Sequence, residues 1–398
     1  MAEFFKKLWA KSPLICVALG ANALVIIVIL VLVIIIFSAD GREDIPIAYE
    51  PPSNIVTSPS AVSPYLNHDP NQSMRWDYYA PIDTRPRSML TGLPINEEYE
   101  GRRPIAVVIN NIRAAWPQSG VASADIIYEA LAEGDVTRLV AVFQSYVPEK
   151  IGPVRSARDY FVDFAFNHDA IFVHHGSSPS GTSRIRNTGI QNLDGLALEG
   201  SVFWRDRDYP YWHSNAGSRR PLEHSSYTSY ERMGNHMEAR SIRDFASDNP
   251  AYEFVFGAMQ AGGGIAETVI VPFSQGYRRF FNLDPQTMWY WVENRDGPHV
   301  DAETRAQIKV ANVLIQLTTM RVVDGEGRRD VQTLGEGDGF LITGGRYFPV
   351  RWVKEGHAIP TRWYFEDGSP LVLSPGPTWI CVVQSNIVLE FGEMLEEE

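Results

Sequence analysis

Carboxylates recur at a regular spacing in a stretch that we predict to form a helix over residues 121–132. Asp125, Glu129 and Glu133 stand four residues apart, which would place them on one face of that helix. Paired carboxylates perform glycoside hydrolysis, one as the acid and the other as the base or nucleophile. The pattern therefore admits Glu129 and Glu133 as a catalytic pair, or as structural carboxylates paired with a cation such as Arg138.

Two arginines open the next predicted helix, which covers residues 156–166. Arg155 and Arg158 stand three residues apart in the sequence GPVRSARDY, and Ser156 between them is a candidate N-cap. Free backbone N–H groups, the helix dipole and guanidinium groups together favour an anion such as a phosphate or a carboxylate. With Arg138 nearby, these arginines predict an anionic ligand site, unless they pair with the two glutamates and stabilise the fold.

Polar residues also follow two short apolar strands predicted over residues 105–109 and 170–173. Asn110 and Asn111 come at the carboxyl end of the first strand, where open α/β sheets bind ligands. These amides suit a sugar or a peptide, or else they satisfy backbone groups of the loop. His175 follows the second strand and is a candidate general base.

The sequence predicts neither a metal site nor a cofactor. No Gly-x-Ser-x-Gly motif surrounds the serines after His175, and the histidines lack the close spacing of a metal-binding helix. His174 and His175 are consecutive in an extended segment, so their rings point to opposite faces and do not converge on one ion.

Composition excludes several classes of protein. The 398 residues carry a formal net charge of −13, which argues against a protein that binds nucleic acid along its phosphate backbone. The two cysteines, Cys16 and Cys381, are too few for a disulfide framework, an iron–sulfur cluster or a four-cysteine zinc site. A hydrophobic content of 44% with 21% charged residues is that of a globular chain.

An apolar stretch near the N-terminus predicts a membrane anchor. Residues 14–37 contain Asn22 as their one strongly polar side chain, and a helix of this length spans about 30 Å of hydrocarbon. Lysines precede the stretch and acidic residues follow it. The positive-inside rule therefore keeps residues 1–13 in the cytoplasm and places residues 40–398 outside. A cleaved signal peptide is the rival interpretation, but its apolar region is usually only about 7–15 residues long.

The remaining sequence divides into four segments, and the expected fold class is mixed α+β. Prolines throughout residues 38–100 predict an extended linker. Alternating strands and helices over residues 101–250 predict an α/β domain. Residues 251–388 contain mostly β-runs separated by Gly and Asp turns, which predict a β-sandwich or a small barrel. Residues 389–398 are an expected acidic tail.

Long segments of this chain resemble the YerB-like bacterial lipoproteins. The segments are RPIAVVINN, PQSGVASADIIYEALAEGDVTRLVAVFQS and EKIGPVRSARDYFVDFA, followed by GPHVDAETRAQIKVANVLIQL and TRWYFEDGSPLVLSPGPTWICVV. The resemblance covers residues 90–385 and implies an exported, membrane-attached protein with a two-part domain of unknown function. It implies no established enzymatic activity. The chain departs from the family at its N-terminus, where a spanning helix stands in place of a lipobox cysteine.

The resemblance implies that the family's motifs include the polar and charged residues discussed above as candidate site residues. These are Asn110, Asn111, Glu129, Glu133, Arg138, Arg155, Arg158 and His175. We expect a single-pass envelope protein of the cell membrane that binds a polar or anionic cell-wall glycan or peptide. The ligand-binding residues would be Asn110, Asn111, Arg138, Arg155 and Arg158.

Two alternatives remain open on the sequence alone. One is a cell-wall glycan hydrolase in which Glu129, Glu133 and His175 are catalytic. The other is a scaffold that binds envelope protein partners through the C-terminal segment.

Overall fold

The structure is a computed structural model that describes residues 83–258 and 261–394. The predicted cytoplasmic N-terminus, the predicted membrane helix over residues 14–37 and most of the predicted linker lie outside these residues. Among the helices that the structure does describe, none has both the length and the apolar character needed to cross a membrane.

Short strands and helices alternate in the first part of the described chain. The strand predicted over residues 105–109 is confirmed and is buried at all six of its positions, as expected for an apolar run covered on both sides. The strands are β1 (Ile105–Asn110), β2 (Ile126–Glu133), β3 (Val136–Phe143), β4 (Ile171–His174), β5 (Asn192–Asp194), β6 (Trp204–Arg205), β7 (Ser226–Tyr227) and β8 (Val255–Phe256). The helices are α1 (Asp159–Phe166), α2 (Pro179–Thr188), α3 (Gly195–Leu198) and α4 (Tyr230–Ala239).

The second part of the described chain consists of strands, as its turn-rich β-pattern predicts. The strands are β9 (Gly264–Ile265), β10 (Thr268–Pro272), β11 (Arg278–Asp284), β12 (Trp289–Asn294), β13 (Gly297–Pro298), β14 (Lys309–Val310), β15 (Asn312–Thr318), β16 (Met320–Val322), β17 (Arg329–Val331), β18 (Gly335–Thr343), β19 (Arg346–Lys354), β20 (Arg362–Phe365), β21 (Val372–Leu373), β22 (Thr378–Gln384) and β23 (Glu390–Gly392). The mixed α+β class is thus confirmed, with strands predominating.

The helix predicted over residues 121–132 is wrong. A short 3₁₀ turn, Val121–Ser123, is followed there by strand β2. Both faces of β2 are buried, so its sequence lacks the apolar–polar alternation that marks a half-exposed strand. Its Ala, Leu and Glu content favours a helix, and pairing with the strands on either side overrides that local preference.

Strands from both parts of the chain form one large mixed sheet. Its order is β20-β19-β18-β15-β22-β2-β3-β1-β4-β5, with β9 also paired to β19. Strand β22 lies between β2 and β15 and runs parallel to both, with Thr378 opposite Ile126 on one side and Asn312 on the other. The predicted boundary at residue 250 therefore separates two stretches of sequence that share a sheet.

The two faces of the large sheet are covered by different elements. A second sheet, of order β13-β12-β11-β10-β23 with β14 paired to β12, packs on one face through residues such as Val269 and Phe281. Helix α1 packs on the opposite face through Phe161 and Phe164. Burial on both sides explains the continuous apolar runs of the central strands.

The folded part extends further at both ends than the predicted linker and acidic tail allow. Leu90 and Ile95 lie in the last part of the predicted linker, on either side of Pro94, and are buried. At the other end, β23 pairs with β10, and the Phe391 ring stacks on Tyr347 at a centroid distance of 4.4 Å. The apolar residues within these polar stretches account for both differences, because each buries its side chain against the body of the protein.

Candidate anion-binding site

The carboxyl ends of the parallel strands β4 and β5 border a surface cavity of about 430 Å³. Crevices at the carboxyl ends of parallel strands are the usual ligand sites of open α/β sheets. We call this cavity the arginine pocket. Its lining includes Arg155, Ser156, His175, Gly176, Arg205 and Glu223.

Backbone hydrogen bonds fix Arg155 beside the ends of β1 and β4. Its N–H donates to the carbonyl of Val108 at 2.8 Å, and its own carbonyl accepts from the N–H of His175 at 3.0 Å. The guanidinium makes one hydrogen bond within the described residues, from Nη1 to the Glu223 carbonyl at 3.0 Å. Because an arginine carries five N–H donors, most of the donors of Arg155 remain available to a ligand.

Arg205 on β6 supplies the second guanidinium of the pocket and is held on three sides. Its Nε donates to Glu199 Oε1 at 2.9 Å, and its Nη1 donates to the carbonyl of Leu222 at 3.0 Å. Its Nη2 lies 2.8 Å from His175 Nε2. Sequence reasoning missed Arg205 as a site residue, although the alternating charges of the segment WRDRDY were a signal that its arginines are held in place.

His175 positions Arg205 and is poorly suited to act as a base. An arginine only donates hydrogen bonds, so Nε2 of His175 must accept from Arg205. The proton of the ring then lies on Nδ1, which is 2.9 Å from Ser226 Oγ. Burial, together with the charge of Arg205, lowers the pKa of His175. The ring is therefore neutral near pH 7, and its one lone pair is already occupied.

The helices next to the pocket begin at different residues from those predicted. Helix α1 starts at Asp159 with Arg158 in the N-cap position, so the prediction of Ser156 as the cap is wrong. Helix α2 starts at Pro179, and the Oγ of Ser178 accepts a hydrogen bond from the N–H of Gly181 at 3.1 Å. The positive end of the α2 dipole thus follows closely after the pocket residues His175 and Gly176.

A charge cluster of two buried arginines and one partly exposed glutamate lies behind the pocket. Nη2 of Arg138 and Nη2 of Arg158 both donate to Glu133 Oε1, at 2.5 and 2.7 Å. Nη1 of Arg138 also donates to the carbonyl of Ser156, which lines the pocket, at 2.7 Å. Burial and the charge of Arg158 lower the pKa of Arg138 to about 9. One carboxylate therefore serves two arginines here, and the uncompensated charge adds to that of Arg155.

The two predicted asparagines lie in the core and do not line the arginine pocket. Asn110 Nδ2 is 2.7 Å from Nδ1 of His224, a residue that is itself largely buried. Asn111 Nδ2 donates to the hydroxyls of Thr137 and Tyr277, each at 2.8 Å. Both amides thus satisfy buried polar groups, which is the alternative that the sequence left open.

Glu129 is a buried structural carboxylate rather than an accessible one. Its two oxygens accept from Nε and Nη2 of Arg279 on β11, each at 2.9 Å, and both side chains are fully buried. Thr137 Oγ1 and Trp379 Nε1 also donate to the Glu129 carboxylate, at 2.8 and 3.1 Å. Sequence reasoning missed Arg279, because its strand pattern gave no sign that this position faces the large sheet.

Glu129 and Glu133 lie on opposite faces of the large sheet. Glu129 contacts Thr137 and Glu133 contacts Arg138, and these partners are consecutive residues of β3 whose side chains point to opposite sides. In a regular strand, Glu129 and Glu133 would point to the same face, because they are four residues apart. The register of β2 shifts between Leu131 and Glu133, and this shift turns Glu133 to the other face. The structure therefore does not bring the two carboxylates together.

Comparisons with known proteins agree with this architecture. Residues 90–243 and 269–380 match the models of the N-terminal and C-terminal domains of a protein of unknown function, DUF3048. A Bacillus subtilis (strain 168) protein named "Putative lipoprotein YerB" is 35% identical over 303 residues, which is 75% of this chain and 86% of that protein. The crystal structure of the YerB protein from Bacillus subtilis has a TM-score of 0.68 at 32% identity, and the match covers 78% of this chain and all of that one. The chain therefore belongs to the YerB-like family of DUF3048 proteins.

Proposed function

We propose that this chain is a membrane-anchored, extracytoplasmic envelope protein that binds an anionic group of the cell wall in the arginine pocket. The apolar residues 14–37 supply the anchor, and the relative named as a lipoprotein is consistent with attachment to a membrane. The observation that carries the proposal is Arg155, whose guanidinium lines the pocket and has one hydrogen-bond partner among the described residues.

The electrostatics of the pocket favour an anion. Arg155 and Arg205 line it. Glu199 balances the charge of Arg205, and Glu223, the one carboxylate residue of the lining, meets Arg155 through its backbone carbonyl. The Arg138 and Arg158 cluster behind it carries one further unit of positive charge. A carboxylate or phosphate that accepts paired N–H donors from Arg155 gains hydrogen bonds that are stronger than those between neutral groups.

The glycan hydrolase has no supporting geometry in the described part of the chain. Glu129 is fully buried and bound to Arg279, and Glu133 is bound to Arg138 and Arg158 on the other face of the sheet. A glycosidase needs two carboxyl groups on either side of one bond, within about 5–10 Å of each other and open to the substrate.

The proposal is tested by calorimetric titration of the full chain, kept in detergent, with two soluble probes. Glycerol phosphate carries a phosphate group, and D-alanyl-D-alanine carries a terminal carboxylate. We expect one of them to bind, and we expect Arg155→Ala to weaken it by about tenfold or more, as for the loss of a hydrogen bond to a charged group. Arg186→Ala is the matched control, because Arg186 is exposed at the far end of α2.

Binding of either probe would support the proposal, and the probe that binds shows whether the pocket takes a phosphate or a carboxylate. Affinity should fall as salt is added, since the pocket is open to solvent. The proposal is wrong if neither probe binds, or if Arg155→Ala binds as tightly as the unaltered chain.

A further inference from the structure

A second cavity, of about 300 Å³, lies beside the segment that connects β6 to β7. We call it the aromatic pocket. Its lining includes Lys150, Asp206, Tyr211, Trp212, Glu303 and Arg305. The aromatic pocket shares no lining residue with the arginine pocket.

One wall of the aromatic pocket consists of two aromatic rings, an exposed tyrosine and a half-buried tryptophan. Tyr211 is 83% exposed, whereas Trp212 is anchored by a hydrogen bond from Nε1 to the carbonyl of Ala302 at 3.3 Å. The guanidinium carbon of Arg305 lies 5.5 Å from the Tyr211 ring centroid and 5.6 Å from that of Trp212. The ring of Tyr211 is therefore open to solvent at the edge of the cavity, next to the half-buried ring of Trp212.

Hydrogen bonds also fix the loop that carries these rings. The hydroxyl of Tyr209 donates to the carbonyl of Ala114 at 2.8 Å. The buried Arg220 donates from Nη1 to the carbonyl of Asp208 and from Nη2 to the carbonyl of Pro117, at 2.8 and 2.9 Å. The loop that carries the two rings is therefore fixed before a ligand binds, which lowers the entropic cost of ordering it around that ligand.

The remaining lining offers donors and acceptors together. Lys150 Nζ lies 2.7 Å from Asp206 Oδ2 and 3.3 Å from Glu303 Oε1. Ser119 Oγ donates to Glu303 Oε1 at 2.7 Å. Three cationic and three acidic side chains line this cavity, namely Lys150, Arg220, Arg305, Asp206, Asp208 and Glu303.

Balanced charge and an open aromatic face suit an uncharged ligand with many hydroxyl groups. A pyranose ring presents an apolar C–H face, which packs on an aromatic ring, and an edge of hydroxyl groups that both donate and accept hydrogen bonds. From this juxtaposition we infer that the aromatic pocket binds the sugar backbone of a cell-wall glycan, with one ring stacked on Tyr211 and Trp212. The inference rests on the proposed function and adds to it, because the arginine pocket would bind an anionic group of the wall and the aromatic pocket its sugar backbone.

Asp206 orients the sugar and does not act as the acid that would cleave it. Burial opposes ionisation of Asp206, but the hydrogen bonds from Lys150 and from the N–H of Asp208, together with the charges of Lys150 and Arg220, outweigh burial and lower the pKa of that carboxyl group. Asp206 is therefore ionised near neutral pH and cannot serve as the protonated acid that glycoside hydrolysis requires.

The test is the affinity of the full chain for chitotetraose, a soluble tetramer of β-1,4-linked N-acetylglucosamine. The detergent must lack a sugar head group, because such a head group would compete for the site. We expect chitotetraose to bind the unaltered chain, Tyr211→Ala to weaken it at least about fivefold, and Tyr211→Phe to change it less than about twofold, since the phenylalanine keeps the stacking face. Tyr146→Ala removes another exposed tyrosine and should leave the affinity unchanged.

The inference is overturned if chitotetraose does not bind, or if Tyr211→Ala binds it as tightly as the unaltered chain. Arg155→Ala separates this inference from the proposed function, because that variant should keep its affinity for chitotetraose while it loses the anionic probe. A converse result, with chitotetraose lost in Arg155→Ala and kept in Tyr211→Ala, would place sugar binding in the arginine pocket and contradict the inference.

Discussion

At the scale of single residues, four arginines of the described chain differ in what their guanidinium groups contact. Arg138 and Arg158 share the carboxylate of Glu133, and Arg279 is saturated by Glu129. Arg155 donates one hydrogen bond, to a carbonyl. The sequence singled out three of these four residues as one group, but their division into structural and free cations depends on partners from distant strands.

Gly195 controls the geometry of the arginine pocket without lining it. A Cβ atom at this position would overlap Nδ1 of His175, so Gly195→Ala must displace that ring and disturb the hydrogen bond that Arg205 donates to its Nε2. We expect the affinity for the anionic probe to fall several-fold, by about 0.5–1.5 kcal/mol for one lost hydrogen bond. Calorimetric titration measures this loss. Gly234→Ala in α4, where a Cβ meets no neighbour, should bind as the unaltered chain does.

Because the Glu129–Arg279 pair is buried, we expect substitution of Glu129 to reduce the stability of the fold rather than an activity. Glu129→Gln leaves the buried guanidinium of Arg279 without a counter-charge, which costs about 3–5 kcal/mol of unfolding free energy. Urea denaturation measures it. Glu133→Gln should cost less, because the Glu133 side chain is about one-third exposed, and Glu129→Gln combined with Arg279→Met should recover part of the stability. Equal stability of Glu129→Gln and the unaltered chain would show that the pair is not a structural one.

At the scale of elements, sequence-based prediction succeeds where the composition of a strand favours a strand and fails where pairing overrides that composition. Strands β1 and β4 consist largely of Val, Ile and Phe residues and were predicted from their short apolar runs. Strand β2 contains Ala, Leu and Glu and was predicted as a helix, because its strand character depends on β22, which lies about 250 residues further along the chain. Local sequence contains no signal for such a partner.

The start of β2 supplies a pH-dependent prediction. Asp125 is buried, and its Oδ2 accepts from the N–H groups of Gln144 and Ser145 at 2.5 and 2.9 Å. Burial raises the pKa of Asp125 from 3.8 to about 6, although these hydrogen bonds oppose the rise. A pKa that is higher in the folded state favours the protonated form, so the stabilisation is complete below pH 4 and is lost as the pH rises through 6.

Asp125→Asn should remove this part of the pH dependence. The amide oxygen of asparagine still accepts both N–H groups, but it carries no charge to desolvate. Between pH 4 and pH 6, the unfolding free energy of the unaltered chain should therefore fall relative to that of the variant, by up to about 3 kcal/mol. Urea denaturation at several pH values measures the difference. Parallel pH profiles for the two proteins would contradict the assignment.

At the scale of the whole molecule, the sequence predicts the types of secondary structure more readily than the way in which the strands pair. The change from alternating strands and helices to continuous β-runs is visible in the sequence, and so is the mixed class. The shared sheet is not, because β22 inserts between β2 and β15 through pairings that only the folded chain defines. This assembly brings the arginine pocket together from the ends of β4 and β5 and from β6, while it separates Glu129 from Glu133.

Sedimentation of the full chain with purified cell-wall sacculi tests the central claim most directly. The protein is mixed with sacculi in detergent without a sugar head group, and the pelleted fraction is compared for the unaltered chain, Arg155→Ala and the control Arg186→Ala. We predict that the unaltered chain and the control pellet with the sacculi at low salt, while Arg155→Ala stays in the supernatant. A chain that does not pellet, or an Arg155→Ala variant that pellets equally well, would contradict the assignment of the arginine pocket as the site that binds the wall.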